Sequence, residues 1–291
     1  MSTPFQSRTM RRLLFTFAAL VALFVSAAPS QAQAFDPAER IENYFAVVST
    51  LDGAAYADLY TPDGVLYDPV GTPALRGHKA MIEWVGGFRP VFQSFQLQVL
   101  KTIVVSPTEA AASWNGGGVT QDGRVVTFGG IGFFRFNDEG KLREVREYWD
   151  IASVFAQIAG APYEPQPFPF TAQLDTFFES AATLDVDTLV SLFTHDGVFS
   201  DPVGTPAHRG HKAIREHVES LTGPFLALNF TVEKVVPVSA TEVAVEWSLE
   251  APTVTGKTVH LSGFNNYRFN ENGQLREVQE YWSLLDLISQ L

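Results

Sequence analysis

The chain has 291 residues, of which 46% are hydrophobic and 18% charged, with a formal charge of −12 and no cysteine. This composition is typical of a folded protein with one large or two modest domains. The net negative charge argues against nucleic acid as a partner, because it would repel the phosphate backbone. The lack of cysteine excludes disulfides, thiol catalysis and cysteine-ligated metal.

The N-terminus has the pattern of a secretory signal peptide. Arg11 and Arg12 precede a largely apolar run over residues 13–28, and Ala32-Gln33-Ala34 supplies the small residues of a cleavage site. An uncleaved anchor is the alternative, although the run is short for a membrane span. We predict a signal peptide over residues 1–34 and an exported protein, in the periplasm or outside the cell, that meets the membrane only through this segment before cleavage.

The next part of the chain predicts three helices followed by four strands. Asp36 and Pro37 are typical of a helix start, and Ile41, Tyr44 and Val48 continue a helical period. The further predicted elements are a short helix over 54–60, a turn at 62–64, a strand over 65–68, a helix over 78–85, and strands over 94–105, 110–119, 124–137 and 141–150. Helices before antiparallel strands predict an α+β fold with room for a pocket between the two layers.

The same sequence then repeats. Residues 65–80 and 198–213 are identical at 13 of 16 positions, and residues 135–149 and 268–282 at 11 of 15, both at an offset of 133. A constant offset over this distance indicates two whole domains of one fold. We predict domain 1 over residues 35–160, a proline-rich linker over 161–170 and domain 2 over 171–291.

One aspartate occupies the same place in each repeat. Asp68 and Asp201 each follow a strand-like run and precede Pro-Val-Gly-Thr-Pro. One interpretation is a turn, since Asp-Pro-x-Gly is a turn sequence in which the carboxylate bonds its own backbone. The other is a general base at a pocket, whose basicity rises when apolar walls remove water.

Two further positions differ between the repeats. Tyr44 lies on the apolar helix stripe, where a buried phenol needs a hydrogen-bond partner, and its counterpart Phe177 lacks the hydroxyl. Asn265 lies on an apolar strand face, where an amide must be paired, and its counterpart Gly132 has no side chain. Each could be a donor in a pocket or a structural residue bonded to neighbouring groups.

Histidines and tryptophans also recur. His208, His211 and His217 do not fall on one helical face, so we interpret them as capping or surface residues and predict no metal site. Trp149 and Trp282 end a strand, where we expect them to pack in the core. The chain contains no glycine-rich phosphate loop, and we predict no cofactor.

Each repeat resembles the nuclear transport factor 2-like superfamily, in its ketosteroid isomerase and SnoaL-like branch. The resemblance covers both domains and rests on the Tyr44 helix, the D-G-V-L-Y-D-P-V-G-T-P…G-H-K-A block and the R-F-N…G-x-L-R-E-V-x-E-Y-W ending. It implies cone-shaped α+β domains, each with about three helices on a curved antiparallel sheet of four to six strands. Because members commonly pair sheet to sheet, it also implies an internal pseudo-dimer with two pockets.

The resemblance also implies residue roles. In ketosteroid isomerase an aspartate base moves a proton within an enone, while a tyrosine and a protonated aspartate donate hydrogen bonds to its oxygen. Asp68 and Asp201 match the base, Tyr44 the tyrosine, and Gly132 and Asn265 the acid donor. Each copy therefore lacks one donor, a loss that costs about 2.7–4 kcal/mol of barrier in other enzymes.

Three functions remain open at this point. The chain is an isomerase-like enzyme that moves a proton next to a carbonyl in a small apolar ligand. Alternatively, it is a non-catalytic binding protein for such a ligand, or a structural pseudo-dimer whose pockets are filled by its own side chains. The fold by itself does not choose among them.

Overall fold

The computed structural model describes residues 35–291, so the predicted signal peptide lies outside the described residues. In this range the chain forms two similar α+β units joined by the proline-rich segment. None of the helices described there has both the length and the hydropathy needed to cross a bilayer.

Domain 1 has four helices and six strands, one helix more than the sequence predicted. The helices are α1 Pro37–Ser49, α2 Gly53–Ala57, α3 Gly77–Phe88 and α4 Ile151–Ala159. The strands are β1 Tyr60–Tyr67, β2 Leu75–Arg76, β3 Phe92–Ser106, β4 Glu109–Thr120, β5 Val125–Phe136 and β6 Leu142–Tyr148.

Domain 2 repeats this order. Its helices are α5 Thr171–Ala182, α6 Val186–Ser191, α7 Gly210–Thr222 and α8 Leu284–Gln290. Its strands are β7 Phe193–Ser200, β8 His208–Arg209, β9 Asn229–Pro237, β10 Glu242–Pro252, β11 Thr258–Phe269 and β12 Leu275–Tyr281.

Each sheet is mixed, which corrects the expectation of an antiparallel sheet. The strand order is β2-β1-β6-β5-β4-β3 in domain 1 and β8-β7-β12-β11-β10-β9 in domain 2. β3 to β6 form an antiparallel meander, but β1 pairs with β6 in parallel. The hairpins of the meander impose the antiparallel direction, whereas the long connection through α3 leaves β1 free to run parallel to β6.

Side-chain caps and a bulge set the local boundaries. Asp36 accepts a hydrogen bond from the Ala38 amide at the start of α1, and Asp150 accepts one from the Ser153 amide at the start of α4. The turn predicted at residues 62–64 is instead an irregular part of β1, whose register with β6 shifts there. Leu66, after this bulge, is buried in the core of domain 1.

Both faces of each sheet carry buried residues. One face packs on the helices of its own domain, and the other faces the second sheet. The interdomain cluster between the sheets consists of Val70, Ile103, Ala111, Ile131, Phe133, Tyr148, Val203, Val236, Ala244, Phe264 and Tyr281. The Phe133 and Tyr281 rings lie 4.6 Å apart, and Lys101 Nζ lies 3.1 Å from Glu246 Oε1. The internal pairing expected from the sequence is present.

The loop after each candidate base also packs on the opposite domain. Val70 and Val203 belong to the interdomain cluster. Gly71 has φ +93°, and a Cβ there would lie 3.2 Å from the Val238 carbonyl oxygen. A larger residue would be both strained and crowded at this position. The position of each aspartate therefore depends on both domains.

Candidate functional site

Asp68 directly follows β1 and is held by two indoles. Trp84 Nε1 donates to Asp68 Oδ2 at 2.9 Å, and Trp149 Nε1 donates to Oδ1 at 2.5 Å. Burial raises the pKa of Asp68 above its usual value, and these two hydrogen bonds only partly oppose the shift. Trp149 is buried as expected, but its indole nitrogen also fixes the candidate base.

An apolar cavity of about 50 Å³ lies against this carboxylate. Its lining consists of Tyr44, Phe45, Val48, Leu51, Tyr56, Asp68, Trp84, Val85, Phe88, Phe92, Phe95, Leu97, Trp114, Phe128, Glu147, Trp149 and Val154. A cavity of about 150 Å³ binds benzene in another protein. A ring-sized ligand therefore requires side chains at this cavity to move.

Three tyrosines form a hydrogen-bonded chain beside the cavity. The Tyr44 and Tyr56 hydroxyls are 3.0 Å apart, and those of Tyr56 and Tyr60 are 2.7 Å apart. Burial raises the pKa of each phenol well above its usual value, so all three keep their protons. When each hydroxyl donates to the next toward Tyr44, the Tyr44 proton is left to donate either to a ligand or toward the Glu147 carboxyl, whose pKa Tyr44 lowers. Tyr44 also packs edge to face on Phe134, at 5.2 Å.

Glu147 is a second carboxyl at the same cavity, and sequence reasoning missed it. The side chain is 2% exposed, and Trp114 Nε1 donates to its Oε2 at 2.8 Å. Burial, and secondarily the charge of Asp68, raise its pKa to about 8. Glu147 shares a strand face with Val145 and Trp149, and this alternation was the signal that could have identified it.

Gly132, where the resemblance placed the acid donor, lies opposite Glu147 on β5. A Cβ at residue 132 would lie 2.9 Å from Glu147 Oε1 and 2.8 Å from ring atoms of Phe134. The Glu147 carboxyl thus fills space that a side chain at residue 132 would need. Domain 1 has its second carboxyl on the neighbouring strand.

Asp201, the equivalent aspartate in domain 2, has a different partner. Trp282 Nε1 donates to Asp201 Oδ1 at 2.5 Å, but His217 replaces the other tryptophan and places Nε2 3.1 Å from Oδ2. The His217 ring stacks on His208, with centroids 3.8 Å apart. Asp201 is only 6% exposed. These rings occupy the space beside the carboxylate.

Asn265 is fully engaged with its neighbours. It accepts from Trp247 Nε1 at 2.7 Å and donates to the Tyr267 hydroxyl at 2.7 Å and to Glu280 Oε1 at 3.0 Å. Burial raises the pKa of Glu280 well above its usual value. The ring of Phe177 packs on Tyr267 at 5.2 Å, so the hydroxyl absent from the helix is present on the strand.

Two histidines lie within hydrogen-bond distance of backbone carbonyl oxygens. His78 Nε2 lies 3.2 Å from the Tyr60 carbonyl oxygen, and His211 Nε2 lies 2.9 Å from that of Phe193. Each joins the start of a helix to a strand. Across residues 35–291, no group of three or more histidine, aspartate or glutamate side chains is arranged to hold a metal ion.

The sequence model of the SnoaL-like domain family matches residues 41–145 and again residues 174–278. These two segments make up more than half of the chain and correspond to the two repeats. The chain therefore belongs to the SnoaL-like domain family, as a tandem duplication.

Solved structures with a similar fold each match one domain's length of this chain. Δ5-3-ketosteroid isomerase from Mycobacterium sp. is 25% identical over 40% of this chain and 94% of its own, with a TM-score of 0.37. RV0760c from Mycobacterium tuberculosis, in complex with estradiol-17β-hemisuccinate, is 22% identical over 40% and 96%, with a TM-score of 0.38. An epoxide hydrolase from the same organism is 15% identical over 44% and 92%, with a TM-score of 0.37.

Proposed function

We propose that this protein is exported and that its domain 1 binds a small apolar β,γ-unsaturated carbonyl compound and isomerises it to the conjugated form. Asp68 takes the proton from the carbon next to the carbonyl group, and the electron pair of the broken C–H bond moves through the new enolate double bond onto the carbonyl oxygen. Asp68 then returns the proton to the far carbon of the original double bond, so that the double bond ends next to the carbonyl group. Tyr44 donates a hydrogen bond to the oxygen while it carries negative charge. The single observation that carries this proposal is the Asp68 carboxylate at the wall of an apolar cavity that a tyrosine hydroxyl also lines.

The electrostatics of the cavity suit this reaction. A general base works best when its pKa approaches the working pH, and burial raises the pKa of Asp68 in that direction. The two indole donors hold the carboxylate in one orientation before substrate binds. The raised pKa of Tyr44 keeps the phenol protonated, as a donor must be.

The cavity size limits the substrate class. At about 50 Å³ it has room for a few atoms, so even a one-ring ketone must displace some of the lining. Phe88 is placed to move, because Gly86 and Gly87 precede it in the last turn of α3. A single-ring compound therefore suits this site better than a steroid.

Domain 2 supports a second candidate function, as a structural partner without turnover. Asp201 bonds to His217 and Trp282, and Asn265 bonds to three neighbours. The imidazole of His217 takes the place of Trp84 at this carboxylate and stacks on His208. Domain 2 instead contributes Val203 and Tyr281 to the interdomain cluster and contacts the loop after Asp68.

The test compares matched aspartate variants. The substrate is 3-cyclohexenone, whose conversion to the conjugated 2-cyclohexenone is followed by ultraviolet absorbance. We expect Asp68→Asn to lower turnover by about 10²–10⁴-fold, the usual contribution of a general base. Asp201→Asn is the control and is expected to retain turnover, with thermal unfolding confirming that both variants fold.

Three results would contradict the proposal. Equal losses in both variants would point to a structural role for the two aspartates. Turnover that survives Asp68→Asn would place the base elsewhere. No turnover by the wild type, together with undiminished binding of cyclohexanone by both variants, would favour a carrier.

A further inference from the structure

Glu147 has one carboxyl oxygen that nothing in the described chain pairs. Trp114 Nε1 donates to Oε2, whereas Oε1 is buried and makes no hydrogen bond of 3.5 Å or less among residues 35–291. The Tyr44 hydroxyl lies close enough to this carboxyl to lower its pKa, but not close enough to either oxygen for a regular hydrogen bond. Buried polar atoms are nearly always paired in folded proteins, and an unpaired one costs about 1–3 kcal/mol. Because Glu147 lines the cavity, this oxygen is available to a ligand there.

The protonation state of Glu147 decides what the free oxygen can do. The pKa of about 8 leaves the carboxyl mostly neutral at pH 7, because burial and the charge of Asp68 both disfavour ionisation. Oε2 accepts from the indole, so the proton belongs on Oε1. A protonated Oε1 is a donor without an acceptor. A ligand that supplies an acceptor atom removes the free-energy cost of burying this donor unpaired.

We propose that Glu147 is a catalytic residue of domain 1 that, as a neutral acid, donates a hydrogen bond to the carbonyl oxygen of the substrate. The inference rests on the proposed function of the cavity and adds to it the second donor that sequence comparison could not find. Glu147 keeps its proton throughout, and only Asp68 exchanges one with the substrate. The ligand class follows: an uncharged carbonyl compound, because an anion would be repelled by Asp68.

The position of Glu147 explains how domain 1 works without a side chain at residue 132. Gly132 leaves the space into which Oε1 projects, since a Cβ there would lie 2.9 Å from that oxygen. The carboxyl of domain 1 therefore lies one strand across from residue 132 and near Tyr44, whose hydroxyl opposes the rise in the pKa of Glu147.

Glu280 provides a control within the same molecule. It occupies the equivalent strand position in domain 2 and is also buried with a raised pKa. Its Oε1 accepts from Asn265 Nδ2 at 3.0 Å, so this carboxyl already has a partner. We expect Glu280 to form no hydrogen bond to a carbonyl ligand.

Infrared spectroscopy tests the donor without any turnover. The probe is cyclohexanone, a saturated ketone that cannot isomerise. We expect a band of a protonated carboxylic acid that Glu147→Gln removes, that titrates near the pKa of about 8, and that shifts when cyclohexanone binds. Glu280→Gln should remove a different band, one that cyclohexanone does not shift.

Kinetics with 3-cyclohexenone test the role in the reaction. Glu147→Leu removes the donor and is expected to lower kcat by about 10²–10³-fold with a smaller change in KM, as for other oxyanion donors. Glu147→Gln keeps an N–H donor and the acceptor for Trp114, and should recover part of this loss. Wild-type activity should fall as pH rises through about 8, and Glu147→Gln should lack this fall. Glu280→Gln is expected to behave as wild type.

The two experiments separate the inference from the proposed function. A ketone-dependent shift of the Glu147 band without turnover of 3-cyclohexenone would support the donor and overturn the isomerase. Turnover that Glu147→Leu does not diminish, with no shift of the band, would overturn the donor and leave Asp68 as the base. If neither turnover nor a band shift is seen, both are wrong.

Discussion

The two domains place an aspartate at the same point of the same fold and surround it differently. In domain 1, Asp68 is bonded by two indoles and borders a cavity, and one oxygen of Glu147 is unpaired. In domain 2, Asp201 is bonded by an indole and an imidazole, and Glu280 is paired with Asn265. The cavity-lining glutamate of domain 1 thus has an unpaired oxygen, whereas the equivalent glutamate of domain 2 has a partner.

The difference arises mainly from a single position. Gly132 and Asn265 are equivalent and lie opposite equivalent glutamates. The asparagine amide satisfies Glu280, whereas the glycine leaves Glu147 without a partner and leaves space beside it. A buried polar group is stabilising when it is paired and available for function when it is not, and the two domains show one case each.

The largest stability effect is expected from removing Asn265. Asn265→Ala leaves Trp247, Tyr267 and Glu280 without a shared partner in a buried site, and we expect a loss of about 2–4 kcal/mol. The matched control is Asn266→Ala. Asn266 is equally buried but makes one long bond of 3.4 Å and has an unpaired oxygen, so its loss should be clearly smaller. Urea unfolding measures both, and equal losses would show that the network around Asn265 is not what stabilises domain 2.

The pH dependence of stability should report on both glutamates. The pKa of Glu147 is 4.5 when unfolded and about 8 when folded, so the folded state binds the extra proton between these values. Stability therefore falls as pH rises through this window, by up to about 1.4 kcal/mol per pH unit, and no further above it. Glu147→Gln should remove this contribution.

Glu280 should contribute with the same sign, because burial also raises its pKa above the usual value. Glu280→Gln is therefore expected to remove part of the loss of stability that accompanies rising pH. Unfolding in urea at a series of pH values measures both variants. A Glu147→Gln profile parallel to that of the wild type would mean that Glu147 is ionised in the folded protein.

The smallest effect is expected at the end of α3. Gly86 and Gly87 have open space where a Cβ would lie, and Ser220 is the counterpart of Gly87 in domain 2. Changing both glycines to alanine should stabilise the protein by about 0.4–1 kcal/mol per site, because the unfolded chain loses freedom. The stiffer turn should slow the association of cyclohexanone. Ser220→Gly, the reverse change in domain 2, should lower stability and leave the association rate of cyclohexanone unchanged. A slower association in this variant would contradict the proposal that the end of α3 moves to admit the ligand.

Much of the fold followed from the sequence because its signals are local. The apolar periods predicted the first helix and the meander strands, and the offset of 133 predicted two domains of one fold. The parallel pairing of β1 and β6 was not predicted, because it joins segments that are distant in the chain. The fourth helix of each domain was also missed, although Asp150 and Ser283 precede them as caps.

The candidate site was only partly accessible to sequence reasoning. Asp68 and Tyr44 were chosen from their place in the repeat and lie at one cavity, whereas Asp201 and Asn265 are buried and hydrogen-bonded to neighbouring side chains. Glu147 was overlooked because the sequence analysis did not assign the two faces of β6. The glutamate lies on the face inside the domain.

The sequence by itself determined the duplication, the α+β order and the positions of both aspartates, because periodicity and repetition are properties of the chain. Only the tertiary structure decided which aspartate borders a cavity and which glutamate remains unpaired. Those outcomes depend on cross-strand neighbours such as Gly132 and Glu147, which are 15 positions apart in the chain and adjacent in the sheet. Burial and hydrogen bonding act between residues that are close in space, and the sequence does not show which residues those are.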